Sequence, residues 1–173
     1  MNELEALNLA LDREKEAYRY YSDAAAKSTS AASKKTLSWL ASEEEGHIKI
    51  LQKLCGELQS SGRWLSEDEW CACADISNPV QCSEFPPSTE TKGELQEDTE
   101  ELQILKHAIN DEREATTFYA DLAKKTTEPD GKAMLEKLSE IEQGHLELLE
   151  EEYQWVSKSK SMFTLHRFSA PAR

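Results

Sequence analysis

Glycine and proline, the residues that interrupt helices, are scarce in this sequence. The 173 residues include six glycines and five prolines, and Pro79, Pro86 and Pro87 fall within one short stretch. Ala, Leu, Glu and Lys, which are strong helix formers, dominate the remaining regions. Outside that stretch the chain is free to be helical, and the composition predicts an all-α protein. A chain of this length is one ordinary domain or two very small ones.

Long apolar runs are also missing. No run approaches the roughly 20 residues that span a bilayer. Charged side chains from Glu3 to Glu16 interrupt the segment in which a signal peptide would need an apolar core. These absences predict a soluble, cytoplasmic protein with no membrane partner.

Cysteine is rare as well. Cys55, Cys71, Cys73 and Cys82 are too few for a disulfide scaffold, and in a cytoplasmic protein they would stay reduced. Their spacing fits neither a zinc motif nor a rubredoxin motif. Ordinary thiols are therefore favoured, while a thiolate metal site or a redox relay stays open.

Basic side chains are outnumbered by acidic ones. The sequence has 34 acidic and 20 basic residues, a formal charge of −14 and an isoelectric point near 4.7. Proteins hold the phosphate backbone of nucleic acids with patches of Lys and Arg. Because no basic cluster is present, nucleic acid is not expected as a partner.

Apolar residues recur every three to four positions over most of the chain, which is the spacing of amphipathic helices. A stretch rich in Cys and Pro divides this pattern in two, and within it Ser66–Trp70 could start a short helix. The predicted elements are helices over about 2–27, 34–56, 94–125 and 131–157, a crossover linker over about 60–93, one helical domain over 1–158 and a tail over 159–173.

An internal repeat organises the helices. A shift of 98 positions aligns Glu3–Leu51 with Glu101–Leu149 without a gap. Each copy reads as two helices joined by a turn, so the chain contains two αα-hairpins joined by the long crossover connection. Two hairpins with apolar stripes bury those stripes best as a four-helix bundle.

Each copy carries one Glu on its first helix and a Glu-x-x-His on its second. The interval from the first Glu to the second is thirty residues in both copies. Residues three apart share a helix face, so each Glu/His pair points at one spot. The candidate metal ligands are Glu14, Glu44, His47, Glu112, Glu142 and His145.

These side chains alternate with leucines on the inner stripe of the predicted bundle. An uncompensated carboxylate there costs several kcal/mol, so the four acids must be protonated or neutralised by cations. Two divalent metals would balance four carboxylates, and this combination of ligands is the di-iron carboxylate arrangement of four-helix bundles. Iron or manganese suits such ligands, and zinc would also bind.

Two tyrosines follow the first-helix ligands at the same spacing. Tyr21 and Tyr119 lie seven residues after Glu14 and Glu112, on the same helix face. They could hydrogen-bond the ligand carboxylates or donate electrons at the site. Aromatic core residues with no such role have the same spacing, so both interpretations stay open.

At these residues the sequence resembles the rubrerythrin branch of the ferritin-like superfamily. The motifs that carry the resemblance are Ala10–Tyr21, Glu44–His47, Ala108–Tyr119 and Glu142–His145. The resemblance implies a ferritin-like bundle in which the six candidate residues bind two iron ions, with Glu44 and Glu142 as bridges. The sequence lacks the Cys-x-x-Cys pairs of a rubredoxin domain, and Ala115 stands where rubrerythrins carry an extra Glu.

By the same resemblance, the expected function is reduction of hydrogen peroxide or dioxygen at the di-iron centre, in defence against oxidative stress. Without a rubredoxin domain the electrons would come from a separate donor protein, such as a rubredoxin-like reductant. We expect a homodimer. The alternative is an iron-binding or ferroxidase module for iron storage or sequestration.

Overall fold

The computed structural model describes residues 2–28, 30–72 and 100–167. Within these ranges every regular element is a helix. The helices are α1 (Glu3–Lys27), α2 (Ala31–Ser61), α3 (Glu67–Cys71), α4 (Glu100–Lys125) and α5 (Pro129–Arg167). The predicted all-α fold of two hairpins is confirmed: α1 packs along α2, and α4 packs along α5. None of the described helices is long and apolar enough to cross a membrane.

Contacts between the hairpins show how they are arranged. Tyr21 of α1 donates a hydrogen bond to Glu112 of α4, and Tyr119 of α4 donates one to Glu14 of α1. Because the order of the contacts reverses, α1 and α4 run antiparallel. The two bonds are equivalent under the 98-residue repeat, so the hairpins are related by an approximate twofold axis.

The apolar core consists of two clusters. One contains Leu7, Leu51, Leu54 and Leu135, and the other contains Leu37, Leu40, Leu105 and Leu149 among their members. Both clusters draw on all four long helices. The buried charged side chains of the predicted site lie on helix segments between the positions that supply these clusters.

Helix α2 is longer than predicted. We expected it to cover 34–56 and to stop near Gly56, but it extends from Ala31 to Ser61. The residue that ends it is Gly62, whose φ of 70° is left-handed and whose N–H donates to the carbonyl of Leu58. A glycine inside a helix costs only about 1 kcal/mol, and the apolar face continues past Gly56 to the partly buried Leu58.

Helix α5 also extends beyond its predicted end. It continues to Arg167, so most of the segment 159–173 that we expected to be a tail is helical. Between Gly144 and Pro171 the sequence contains no glycine or proline to stop the helix. The predicted start of α4 at residue 94 lies outside the described residues.

The predicted linker begins with a folded segment. The short helix α3 forms where Ser66–Trp70 suggested one, and Arg63 pairs with Glu69 at 2.6 and 3.0 Å. Trp64 and Trp70 join the apolar cluster at this end of the bundle. Residues 73–93, with Cys73, Cys82 and the three linker prolines, lie outside the described residues.

Two glycine substitutions test this packing. A Cβ at Gly131 would lie 2.4 Å from Trp64 Cδ2, inside a buried contact, whereas a Cβ at Gly56 meets nothing within 4 Å. We predict that Gly131→Ala lowers the free energy of unfolding by roughly 1–3 kcal/mol. Gly56→Ala is the matched control and should raise it by about 0.5–1 kcal/mol, because alanine is the better helix former. Urea unfolding measures both, and equal effects would contradict the described contact.

Candidate metal centre

The six predicted ligands are the buried charged side chains of the bundle centre. Glu14 lies on α1, Glu44 and His47 on α2, Glu112 on α4, and Glu142 and His145 on α5. Their exposed fractions are 3%, 1%, 4%, 3%, 1% and 3% in that order. The structure therefore brings all six together out of contact with bulk water, and their role as ligands stays a prediction.

The six side chains form two overlapping donor sets, each with its ligand atoms within 4.8 Å of one another. One set is Glu14, Glu44, His47 and Glu142, and the other is Glu44, Glu112, Glu142 and His145. Glu44 and Glu142 belong to both sets. The arrangement thus fits two cations that share two carboxylates and have one further Glu and one His each.

Both imidazoles turn the same nitrogen toward the carboxylates. Nδ1 of His47 lies 3.1 Å from Oε2 of Glu44 and 3.3 Å from Oε2 of Glu14. Nδ1 of His145 lies 3.0 Å from Oε2 of Glu142. The two rings are nearly parallel, with centroids 5.7 Å apart.

Two carboxylate oxygens in the centre lack hydrogen-bond partners. Oε1 of Glu44 and Oε1 of Glu142 are fully buried, and neither accepts a hydrogen bond. Nδ1 of His47 approaches Oε1 of Glu142 to 3.1 Å without the alignment of a hydrogen bond. Buried acceptors left unpaired cost roughly 1–3 kcal/mol each. A divalent cation would satisfy both oxygens, so this donor set of carboxylates and imidazoles fits iron or manganese, with zinc also possible.

The carboxyl groups have different proton affinities. Burial raises the pKa of Glu14 and Glu112 well above the usual range, and the neighbouring carboxylates raise it further. Burial opposes ionisation of Glu44 and Glu142 as well. For Glu44, hydrogen bonding to Glu14 and the two imidazoles outweighs burial and lowers the pKa well below the usual range. For Glu142, the two imidazoles outweigh both burial and the repulsion from Glu44 and lower the pKa.

The imidazoles hold protons more strongly than usual. Burial alone would lower the pKa of His47 and His145, but the surrounding carboxylates outweigh burial and raise the pKa of both well above the ordinary value. The raised pKa values of both imidazoles and of Glu14 and Glu112 favour bound protons in the centre, and these protons offset the charge of the carboxylates.

The tyrosines that follow the first-helix ligands reach across the bundle. Tyr21 and Tyr119 are each 1% exposed, and their hydroxyls donate to Glu112 and Glu14 of the opposite hairpin. Burial raises the pKa of both phenols well above the usual range, and the neighbouring carboxyl groups of the centre raise it further. Each phenol thus keeps its proton and orients a candidate ligand. The structure shows these hydrogen bonds to candidate ligands, and it also places both rings in the apolar clusters.

Two other side chains of types that bind metals belong to neither donor set. His107 is exposed at the cavity and pairs with Asp111 at 3.3 Å. Cys55 is buried among apolar residues, which raises the pKa of its thiol. No sequence pattern selected Trp39, whose ring meets that of His145 edge to face at 5.5 Å. Its repeat-related position is Lys137, so no repeated aromatic marked it.

Comparison with known proteins agrees with this geometry. The Rubrerythrin family model matches residues 2–69 and 81–153. The chain belongs to the rubrerythrin family. A solved structure of a hypothetical protein from Pyrococcus furiosus is 23% identical, superposes with a TM-score of 0.68, and matches over 91% of this chain and 92% of that one. That likeness supports the fold, and the comparison with curated proteins returned no match.

Removal of the tyrosine hydroxyls tests their orienting role. We predict that Tyr21→Phe and Tyr119→Phe each weaken the binding of a divalent cation roughly 10- to 100-fold, because a ligand carboxylate loses its supporting hydrogen bond. Calorimetric titration with Zn²⁺, which undergoes no redox chemistry, gives the affinity. Tyr18→Phe is the matched control on α1, since Tyr18 is 38% exposed. Unchanged affinity in both buried variants would count against the orienting role.

Cation binding should release protons. A cation must displace the protons on Glu14, Glu112 and the two imidazoles, whose pKa values are raised. At lower pH more protons compete with the cation for these side chains. The apparent affinity for Zn²⁺ should therefore rise as pH increases. Calorimetry in buffers with different ionisation enthalpies counts the released protons. Binding without proton release would contradict the described charge balance.

Proposed function

We propose that this rubrerythrin-family protein binds two iron ions at the described centre and reduces hydrogen peroxide or dioxygen there. The observation that carries the proposal is the pair of overlapping donor sets, related by the repeat and sharing Glu44 and Glu142. Four carboxylates offset the charge of two divalent cations. Two imidazoles add one neutral nitrogen donor each, which suits a metal that changes between ferrous and ferric states.

The proposed reaction needs a source of electrons and protons. Reduction of hydrogen peroxide to two waters consumes two electrons and two protons, and a bound pair of ferrous ions would supply one electron each. The sequence has no Cys-x-x-Cys pair that could hold a rubredoxin-type iron. The electrons that restore the ferrous state would therefore come from a separate donor protein.

Hydrogen bonds from the opposite hairpin orient two carboxyl groups of the centre. Glu14 and Glu112 accept hydrogen bonds from Tyr119 and Tyr21 on the opposite helix, which fixes the direction of their remaining oxygen lone pairs. Both carboxyl groups also line a cavity that opens between α1 and α4. Protons consumed in the reaction can pass through these carboxyl groups on the side that faces the cavity.

The alternative is an iron-binding or ferroxidase module in which iron is cargo. Storage requires a closed shell of many subunits, whereas the proposed oxidoreductase would be a homodimer. Light scattering of the full chain separates these possibilities by particle mass. A shell would favour storage, and a dimer would favour the oxidoreductase.

An anaerobic titration tests the proposed reaction. We predict that the protein binds two Fe²⁺ per chain and that addition of hydrogen peroxide or air produces ferric absorption in a stopped-flow experiment, with one peroxide consumed for two ions oxidised. Glu44→Gln should abolish binding of at least one ion, because Glu44 belongs to both donor sets. Glu45→Gln, next to it on the exposed face of α2, is the matched control.

Two results would contradict the proposal. The first is less than one bound metal per chain at saturating Fe²⁺. The second is a Glu44→Gln variant that binds and oxidises iron like the wild type, since a surface carboxylate could behave in that way but a shared ligand could not.

A further inference from the structure

A cavity of about 380 Å³ lies between α1 and α4 and leads to the centre. Its lining includes Glu14, Glu44, Glu112 and Glu142, so four of the six candidate ligands face it. The cavity is far larger than the ~30 Å³ that one water molecule occupies in the liquid. Its other lining residues include Glu16, Asp111 and Glu114, of which Glu16 and Glu114 are exposed. The cavity therefore connects the buried carboxylates with the surface.

The two imidazoles of the centre are not among the residues that line this cavity. His47 and His145 lie against each other on α2 and α5. The ring of Trp39 meets that of His145 from outside the pair. The carboxylate side and the imidazole side of the centre therefore differ in access.

Two alanines keep the space between α1 and α4 open. The hydrogen bonds Tyr21 to Glu112 and Tyr119 to Glu14 set residues 14–21 of α1 alongside residues 112–119 of α4 in antiparallel order. Ala17 and Ala115 lie in the middle of these two segments, occupy equivalent positions in the repeat, and both line the cavity. A longer side chain at either position would extend into the passage.

The charges at the mouth are mostly negative. Glu16, Asp111 and Glu114 outnumber Arg13, the one guanidinium of the lining. Arg13 lies 3.3 Å from Glu114, and His107, which also lines the cavity, lies 3.3 Å from Asp111. A cleft lined by charge of one sign raises the local concentration of counter-ions and their rate of association.

The unpaired oxygens lie on residues that line this cavity. Glu44 and Glu142 each have a buried Oε1 that accepts no hydrogen bond, and both residues belong to the lining. A divalent cation that enters between α1 and α4 therefore passes exposed acidic side chains and reaches two unsatisfied acceptors.

We propose that the cavity between α1 and α4 is the passage by which divalent cations reach the centre, and that Ala17 and Ala115 determine its width. This inference rests on the proposed function, because it requires the centre to bind metal. It adds a route and two residues that control access.

Loading kinetics test the passage. Co²⁺ serves as the probe because its visible absorption reports ligation and needs no turnover. In stopped flow, the Ala17→Leu/Ala115→Leu variant should bind Co²⁺ several-fold more slowly than the wild type, because the larger side chains narrow the passage. It should still reach two Co²⁺ per chain. The control is Ala26→Leu/Ala133→Leu, which makes the same changes at exposed positions of α1 and α5 and should load at the wild-type rate.

A second variant tests the negative charge at the exposed end of the cavity. It adds no side-chain volume, so the fold does not have to accommodate a larger residue. Glu16→Gln/Glu114→Gln should slow Co²⁺ association by roughly tenfold at low ionic strength and flatten its salt dependence. Glu151→Gln, exposed on α5, is its control.

The outcomes separate the two proposals. If the wild type binds no Co²⁺, the metal centre and the passage both fail. If it binds two Co²⁺ but both cavity variants load at the wild-type rate, the passage is wrong and the proposed function stands. Should the leucine variant fail to fold, the glutamine variant decides: a slower, less salt-sensitive association supports the passage, and unchanged kinetics overturn it.

Discussion

Four glutamate carboxyl groups share the interior of one helical bundle, each of them 1–3% exposed. An ionised carboxylate in apolar surroundings costs several kcal/mol unless positive charge or hydrogen bonds balance it. The raised pKa values of Glu14, Glu112 and the two imidazoles favour protons that offset this charge. Two bound divalent cations would offset it in the same way, and either arrangement lets the apolar clusters pack beside the centre. Stability of the core and binding of metal therefore depend on one electrostatic requirement.

The internal repeat lets a single chain supply matching groups of ligand-type side chains from both sides of the centre. One hairpin supplies Glu14, Glu44 and His47, and the second supplies the equivalent residues. The tyrosines then cross from each hairpin to a carboxyl group of the other. Neither hairpin contains a complete donor set, since Glu44 and Glu142 are needed in both. Association of the hairpins and formation of the centre are thus the same event.

The candidate ligands could be predicted from the sequence for two reasons. Helical periodicity depends only on residues near one another in the chain, and the repeat is found when two stretches of the same sequence are aligned. The partners of Tyr21 and Tyr119 could not be predicted, since these hydrogen bonds join residues 91 and 105 positions apart. The end of α2 depends equally on distant contacts. Gly56 and Gly62 look alike as helix stops, but only at Gly62 does the chain leave the helix and place Trp64 against Gly131. Ala17 and Ala115 were visible as small residues, while the cavity they line exists only once α1 and α4 lie side by side.

Repeat-related residues can be compared at the centre and at the two ends of the bundle. The candidate ligands, the tyrosines that donate to them and the two alanines of the cavity are identical in both copies, and these pairs are Glu14 and Glu112, Glu44 and Glu142, His47 and His145, Tyr21 and Tyr119, and Ala17 and Ala115. The ends differ. Gly131 accommodates Trp64, whereas its counterpart Ser33 donates a hydrogen bond at 3.3 Å to Glu152, a buried carboxyl group whose own counterpart is Leu54. Each end can therefore pack partly with its own residues, whereas the paired donor sets require the same ligand side chains in both copies.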